Sequence, residues 1–86
     1  MNINELISII KKKLGSQINL EKVIVEDKSF LHKNHKGNTK DKFHIKITID
    51  STELLKMNRI ERTKKIYKIL DTELKMFIHS LQILIK

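Results

Sequence analysis

The 86-residue sequence has no cysteine, no proline, no alanine and no tryptophan, and only two glycines, Gly15 and Gly37. Without cysteine there is no disulfide, no thiolate metal site and no thiol nucleophile, which suits a reducing, cytoplasmic setting. Aromatic residues make up 5 % and do not cluster, so stacking on nucleic-acid bases is poorly provided for. Both glycines lie far from the place that the Gly-x-x-Gly loop of a KH-type nucleic-acid reader, which lets backbone approach phosphates, would occupy. No apolar run approaches the ~20 residues of a membrane span. The basic triplet Lys11–Lys13 follows the first apolar run, whereas in a signal peptide basic residues come first. No membrane partner is expected.

What the sequence does have is positive charge. Eighteen Lys and Arg against ten Asp and Glu give a net charge of +8. Such a balance ordinarily suggests an anionic partner. However, 16 of the 18 are lysine, and they accompany 15 isoleucines with no alanine, as AT-rich codon usage would produce. Part of the charge therefore reads as composition, and a solvated lysine surface accounts for it. The length allows one domain, residues 1–86. A chain this size buries about 60–65 % of its surface, which leaves little room for an enclosed active site.

Ile3, Leu6, Ile7, Ile10 and Leu14 follow the i, i+3, i+4, i+7 spacing of an amphipathic helix over Ile3–Leu14. Asn2 or Asn4 would cap its start, Lys11–Lys13 would lie in its last turn, and Gly15 would end it. Asn19–Glu26 reads as a strand with Val23 and Val25 on one face. The polar segment 27–42 has no period and exceeds the usual loop length, a mark of loops with a function or without order. Phe43–Ile49 is the cleanest alternating strand: Phe43, Ile45, Ile47 and Ile49 face the core and His44, Lys46 and Thr48 face out. It should pair antiparallel with the first strand. Ser51-Thr52-Glu53 resembles a helix start, with a short turn of helix at Glu53–Lys56. A longer helix over Asn58–Lys75 has Asn58 as its cap and Ile66, Ile69, Leu70 and Leu74 as its apolar face. Phe77–Ile85 reads as a third strand, with His79, Leu81, Ile83 and Ile85 sharing one side. Three strands with helices on one face make an α+β two-layer sandwich of order helix–strand–strand–helix–helix–strand.

These features resemble the BolA-like family over nearly the whole chain. Glu26-Asp27-x-Ser29 closes the first strand and is followed by a histidine-containing loop and then Phe43. Arg62-Thr63-Lys64-Lys65-Ile66-Tyr67-x-x-Leu70-x-x-Glu73-Leu74 is followed by Ile78-His79-Ser80-Leu81, with the family's spacing between the two blocks. The chain departs from the pattern at Leu54 and Lys56, where an aromatic residue and a glycine are usual, and at Thr63, where a histidine is usual. The resemblance implies a fold similar to a type II KH domain. It also implies a heterodimer with a monothiol glutaredoxin, bridged by a [2Fe–2S] cluster that glutathione also ligates. That role belongs to iron–sulfur cluster trafficking and iron homeostasis. The isolated protein would carry no cofactor and would be a monomer or a weak dimer. The alternative implied by the same resemblance is a DNA-binding transcriptional regulator.

By the resemblance, His79 would be a cluster ligand and one of the loop histidines His32 and His35 would be the second, with His35 preferred. Imidazole ligation of such clusters is chemically sound. Spacing alone favours reading His79 as a buried histidine satisfied by a backbone carbonyl, and it is the resemblance that reverses this; the loop pair equally suits two solvated side chains. His44, facing out, has no expected role. Arg59, Arg62, Lys64, Lys65 and Lys68 form a basic helix face that would meet an acidic partner surface or phosphates, and otherwise is simply solvated. No nucleophile is paired with a base and no carboxylate pair occupies a cleft, so an enzyme is not expected. Ser80 beside His79 does not change this, because neighbouring strand residues point to opposite faces.

Overall fold

The computed structural model describes residues 1–29 and 42–86. The elements run α1 (Ile3–Gln17), β1 (Lys22–Asp27), β2 (Phe43–Asp50), α2 (Thr52–Leu55), α3 (Arg59–Ile69), α4 (Asp71–Met76) and β3 (Ile78–Ile85). The sheet order is β1-β2-β3. β1 lies antiparallel to β2, with Val23 opposite Ile49 and Val25 opposite Ile47. β3 returns parallel to β2 after the helical crossover, with Ile45, Ile47 and Ile49 opposite Leu81, Ile83 and Ile85. This is the α+β two-layer sandwich expected from the pattern.

The core lies between the sheet and its helical layer. Leu6, Ile10 and Leu14 of α1, Leu54 of α2 and Ile66 of α3 are fully buried with Ile47 and Ile49 of the central strand. Burying each such side chain contributes roughly 1.5–3 kcal/mol, and the alternation of β2 is what aligns Ile47 and Ile49, with Ile45, on one face. Local caps agree with the packing. The Asn2 side chain accepts from the Glu5 N–H, and Ser51 does the same for Leu54. Asn58 and Glu61 form a reciprocal capping box at the start of α3. An ion pair between a part-exposed lysine and a buried carboxylate ties two helices together: Lys13 Nζ donates to Glu73 Oε2 at 2.7 Å.

Three expectations change. Gly15 does not end α1; the helix continues to Gln17 and is capped by Ile18, whose N–H donates to the Leu14 carbonyl. Ile18 is 4 % exposed, so the helix stops where that side chain reaches the core, and Lys11–Lys13 sit a turn before the end. The helix expected over Asn58–Lys75 is broken at Leu70 (φ −98°, ψ 19°) into α3 and α4. Asp71 and Thr72, poor helix formers that favour helix starts, follow that break. The first strand begins at Lys22 rather than Asn19, because the backbone N–H of Asn19 is held by the Glu53 carboxylate at 3.0 Å. Among the described residues no helix is long and apolar enough to cross a membrane.

Candidate functional site: a histidine pair at a β-bulge

The pairing of β2 with β3 is regular except at one end. Phe43 lies opposite Ile78, but the next residue, His44, lies opposite Ser80, so His79 is an extra residue on β3. A bulge of this kind sets two residues against one and re-aims the side chains that follow. Ile78 is therefore buried in the core at 3 % exposure, while His79 and Ser80 are both exposed. Leu81, Ile83 and Ile85 return to the core side.

Strict alternation had grouped His79 with Leu81 and Ile83, and Ile78 with Ser80. The extra residue overturns that grouping, and with it the buried, carbonyl-satisfied histidine and the opposite facing of His79 and Ser80. The signal was present in the sequence. Ile78-His79-Ser80-Leu81 places two polar residues between two apolar ones, a break in period two.

His44 also departs from expectation. It lies on the sheet side away from the helices, as alternation requires, but it is only 5 % exposed. Its Nδ1 shares a 2.7 Å hydrogen bond with Ser80 Oγ. Its ring meets the His79 ring edge-on, with centroids 4.9 Å apart and planes inclined by 64°. Its backbone is fixed as well: the N–H donates to Ser29 Oγ at 3.1 Å and the carbonyl accepts from the Lys28 N–H at 2.7 Å. Ser29 is in turn oriented by its N–H bond to Asp27 Oδ1. The end of β1, the start of β2 and the start of β3 thus meet at one imidazole pair.

The other expected site residues are distributed differently. His32 and His35 lie outside the described residues; Ser29, just before that segment, is in contact with His44. Arg59, Lys64 and Lys68 are exposed on α3, and Arg62 and Lys65 are half-buried. Lys65 is bonded to Glu53 at 3.1 Å. This basic set belongs to the helical layer, whereas His44 and His79 belong to the opposite side of the sheet, so the two groups do not form one surface.

The His79 ring makes no hydrogen bond among the described residues, and its exposure leaves it accessible to a ligand from outside. Among the described residues no three His, Cys, Asp or Glu side chains converge to hold a metal ion. A metal centre at His79 would accordingly need further ligands beyond these residues. The donor set suits a centre shared across an interface, where one chain supplies an imidazole. It does not suit an enclosed site.

The chain matches the BolA-like protein family over residues 14–86. It is 32 % identical to the chloroplastic protein BOLA1 of Arabidopsis thaliana over 92 % of its own length, although it spans only 51 % of that relative. It is 29 % identical over 85 % of its length to the DNA-binding transcriptional regulator BolA of Haemophilus influenzae, of which it spans 68 %. Among solved structures, the BolA domain of SufE1 from Arabidopsis thaliana superposes with a TM-score of 0.75 at 29 % identity, covering 100 % of this chain and 93 % of that one. The family match over residues 14–86, the 32 % identity over 92 % of the chain and the superposition of the whole chain lead to one assignment: the chain belongs to the BolA-like family.

Proposed function

We propose that the protein pairs with a monothiol glutaredoxin and supplies His79 as a ligand to a [2Fe–2S] cluster shared between them, as a step in iron–sulfur cluster trafficking and iron homeostasis. One observation carries this reading: the bulge turns His79 out of the core and leaves its imidazole exposed beside a buried, anchored His44. A histidine kept only for packing would have stayed on the core side with Leu81. The cluster would take its remaining ligands from the glutaredoxin, from glutathione and from His35 or His32. An imidazole in place of a thiolate removes negative charge from the cluster and raises its potential. The task of this chain is to present an imidazole without blocking its partner's approach.

The test is anaerobic reconstitution of the glutaredoxin with and without this protein, followed by visible absorption and circular dichroism. The wild type should produce a spectrum distinct from that of the glutaredoxin alone, and His79→Ala should abolish the difference. An unchanged spectrum with His79→Ala would refute the ligand assignment.

The second reading is DNA binding, favoured by the regulator from Haemophilus influenzae and by the exposed Arg59, Lys64 and Lys68 on α3. Titration of promoter and random duplexes across a salt series separates the two kinds of contact. Binding that vanishes at moderate salt without sequence preference is charge attraction alone.

A further inference from the structure

An exposed histidine on a strand end rotates about two side-chain bonds, and a ligand that must first be ordered binds more weakly than one already in place. His79 is not left in that state. Its ring packs edge-to-face against His44, the geometry that aromatic pairs favour. His44 itself cannot drift, because it is 5 % exposed, its Nδ1 is held by Ser80, and its backbone N–H and carbonyl are held by Ser29 and Lys28. Ser80 sits next to His79 on the same bulge, so the residue that fixes His44 also fixes the local strand path.

We propose that His44 is the positioning residue of this site: its buried ring, clamped by Ser80, selects the orientation in which His79 meets its ligand. The inference rests on the reading of His79 as a ligand but concerns the free protein, where it can be measured separately. It also gives the bulge a second purpose. Under uninterrupted alternation His79 would face the core with Leu81; with the bulge, both histidines and Ser80 share one side of the sheet. Metal-ligating histidines are commonly oriented by a neighbouring group that is not itself a ligand. Here that group is a second imidazole acting through its ring, with its Nδ1 directed to the serine.

The experiment compares wild type, Ser80→Ala, His44→Ala and His44→Phe. In the metal-free protein, the χ1 couplings and ring contacts of His79 are followed by NMR beside the amide spectrum. The glutaredoxin complex is then reconstituted and the lifetime of its visible dichroism recorded. The wild type should show one dominant His79 rotamer. His44→Ala should average that rotamer and shorten the cluster lifetime about three- to tenfold, within the range that ordering one side chain supplies. Ser80→Ala should act in the same direction by a smaller factor, and His44→Phe, which keeps a ring in place, should restore much of the ordering.

His79 couplings identical to wild type in folded His44→Ala would overturn the proposal. Should that variant not fold, the same result in Ser80→Ala would overturn it. If His79→Ala leaves the complex spectrum intact, the ligand reading fails while the NMR comparison still decides whether His44 orients His79.

Discussion

The two ends of the three-stranded sheet use polar residues in opposite ways. At the end where β1 begins and β2 stops, the polar groups are consumed in mutual contacts. Ser51 Oγ donates to the Asn19 carbonyl at 2.8 Å and accepts from the Leu54 N–H. Glu21 accepts from the Thr52 hydroxyl at 2.8 Å and from the Thr52 N–H. Glu53 accepts from the Asn19 N–H and from Lys65. This clasp fastens the exit of α1 to the entry of α2. At the other end, the polar groups hold one histidine still and leave another exposed. The same kinds of residue therefore serve cohesion at one end and presentation at the other, and the bulge at His79 separates the two regimes.

The sharpest way to break the clasp end is Ser51→Ala. Ser51 is 2 % exposed and serves both as the helix cap and as donor to a backbone carbonyl. Losing an N-cap costs about 0.5–2 kcal/mol, and leaving a buried acceptor unsatisfied costs about 1–3 kcal/mol. A loss of roughly 2–3 kcal/mol is expected in urea denaturation, large for a domain of this size. The dichroism of the proposed glutaredoxin complex should be unchanged at temperatures where the variant is folded. A changed spectrum would mean that the two ends are coupled.

At the other end, deletion of His79 tests the bulge itself. Without that residue, Ile78-Ser80-Leu81-Gln82-Ile83 alternates cleanly and the core assignments of Ile78 and Leu81 are retained. The variant should fold with stability within about 1 kcal/mol of wild type while losing the difference spectrum completely. Severe unfolding on deletion would show that the bulge is structural rather than a device for presentation.

The sequence made the regular parts of this architecture readable and hid the irregular ones. Alternation in Phe43–Ile49 and the 3.6 period of α1 follow from burial on one face, so the layers, the antiparallel pairing and the core could be read directly. The caps are local side chain–backbone contacts, so the cap at Asn58 was visible and those at Asn2 and Ser51 were narrowed to neighbouring candidates. The burial of His44 depends on what approaches it from β1 and β3, which no local pattern encodes. The facing of His79 depends on the register between two strands separated by the whole helical crossover. Assuming uninterrupted alternation therefore put that side chain on the wrong side. The resemblance singled out His79; the bulge explains how it comes to be exposed.

A smaller effect, of opposite sign, is expected at Gly15. It lies inside α1 near the clasp, and nothing would come within 4 Å of an added Cβ. Glycine in a helix interior is about 0.5–1 kcal/mol worse than alanine. Gly15→Ala should therefore raise the unfolding free energy by that amount, read as a higher urea midpoint at unchanged slope. A loss of stability would mean that the helix end does rely on this glycine, and that burial of Ile18 is not what sets it.

The subtlest difference between the ends should appear in acid. Hydrogen bonds from the Thr52 side chain and backbone hold the Glu21 carboxyl below its ordinary value of 4.5. The Asn19 N–H, followed by Lys65, does the same for Glu53. With the folded value depressed, the unfolded chain binds more protons in the interval between the two, so stability rises with pH there. The contribution is complete above the unfolded value near 4.5 and is lost as pH falls through the lower folded values. Thermal midpoints should therefore stay flat on this account above about pH 5.5 and decline below 4.5. Glu21 is exposed and Glu53 is half-buried, and added salt should weaken the part that comes from Lys65. In the double variant Glu21→Gln, Glu53→Gln the acid decline should be shallower than in wild type. An equally steep decline would place the acid-sensitive carboxylates elsewhere and remove these two from the clasp's share of stability.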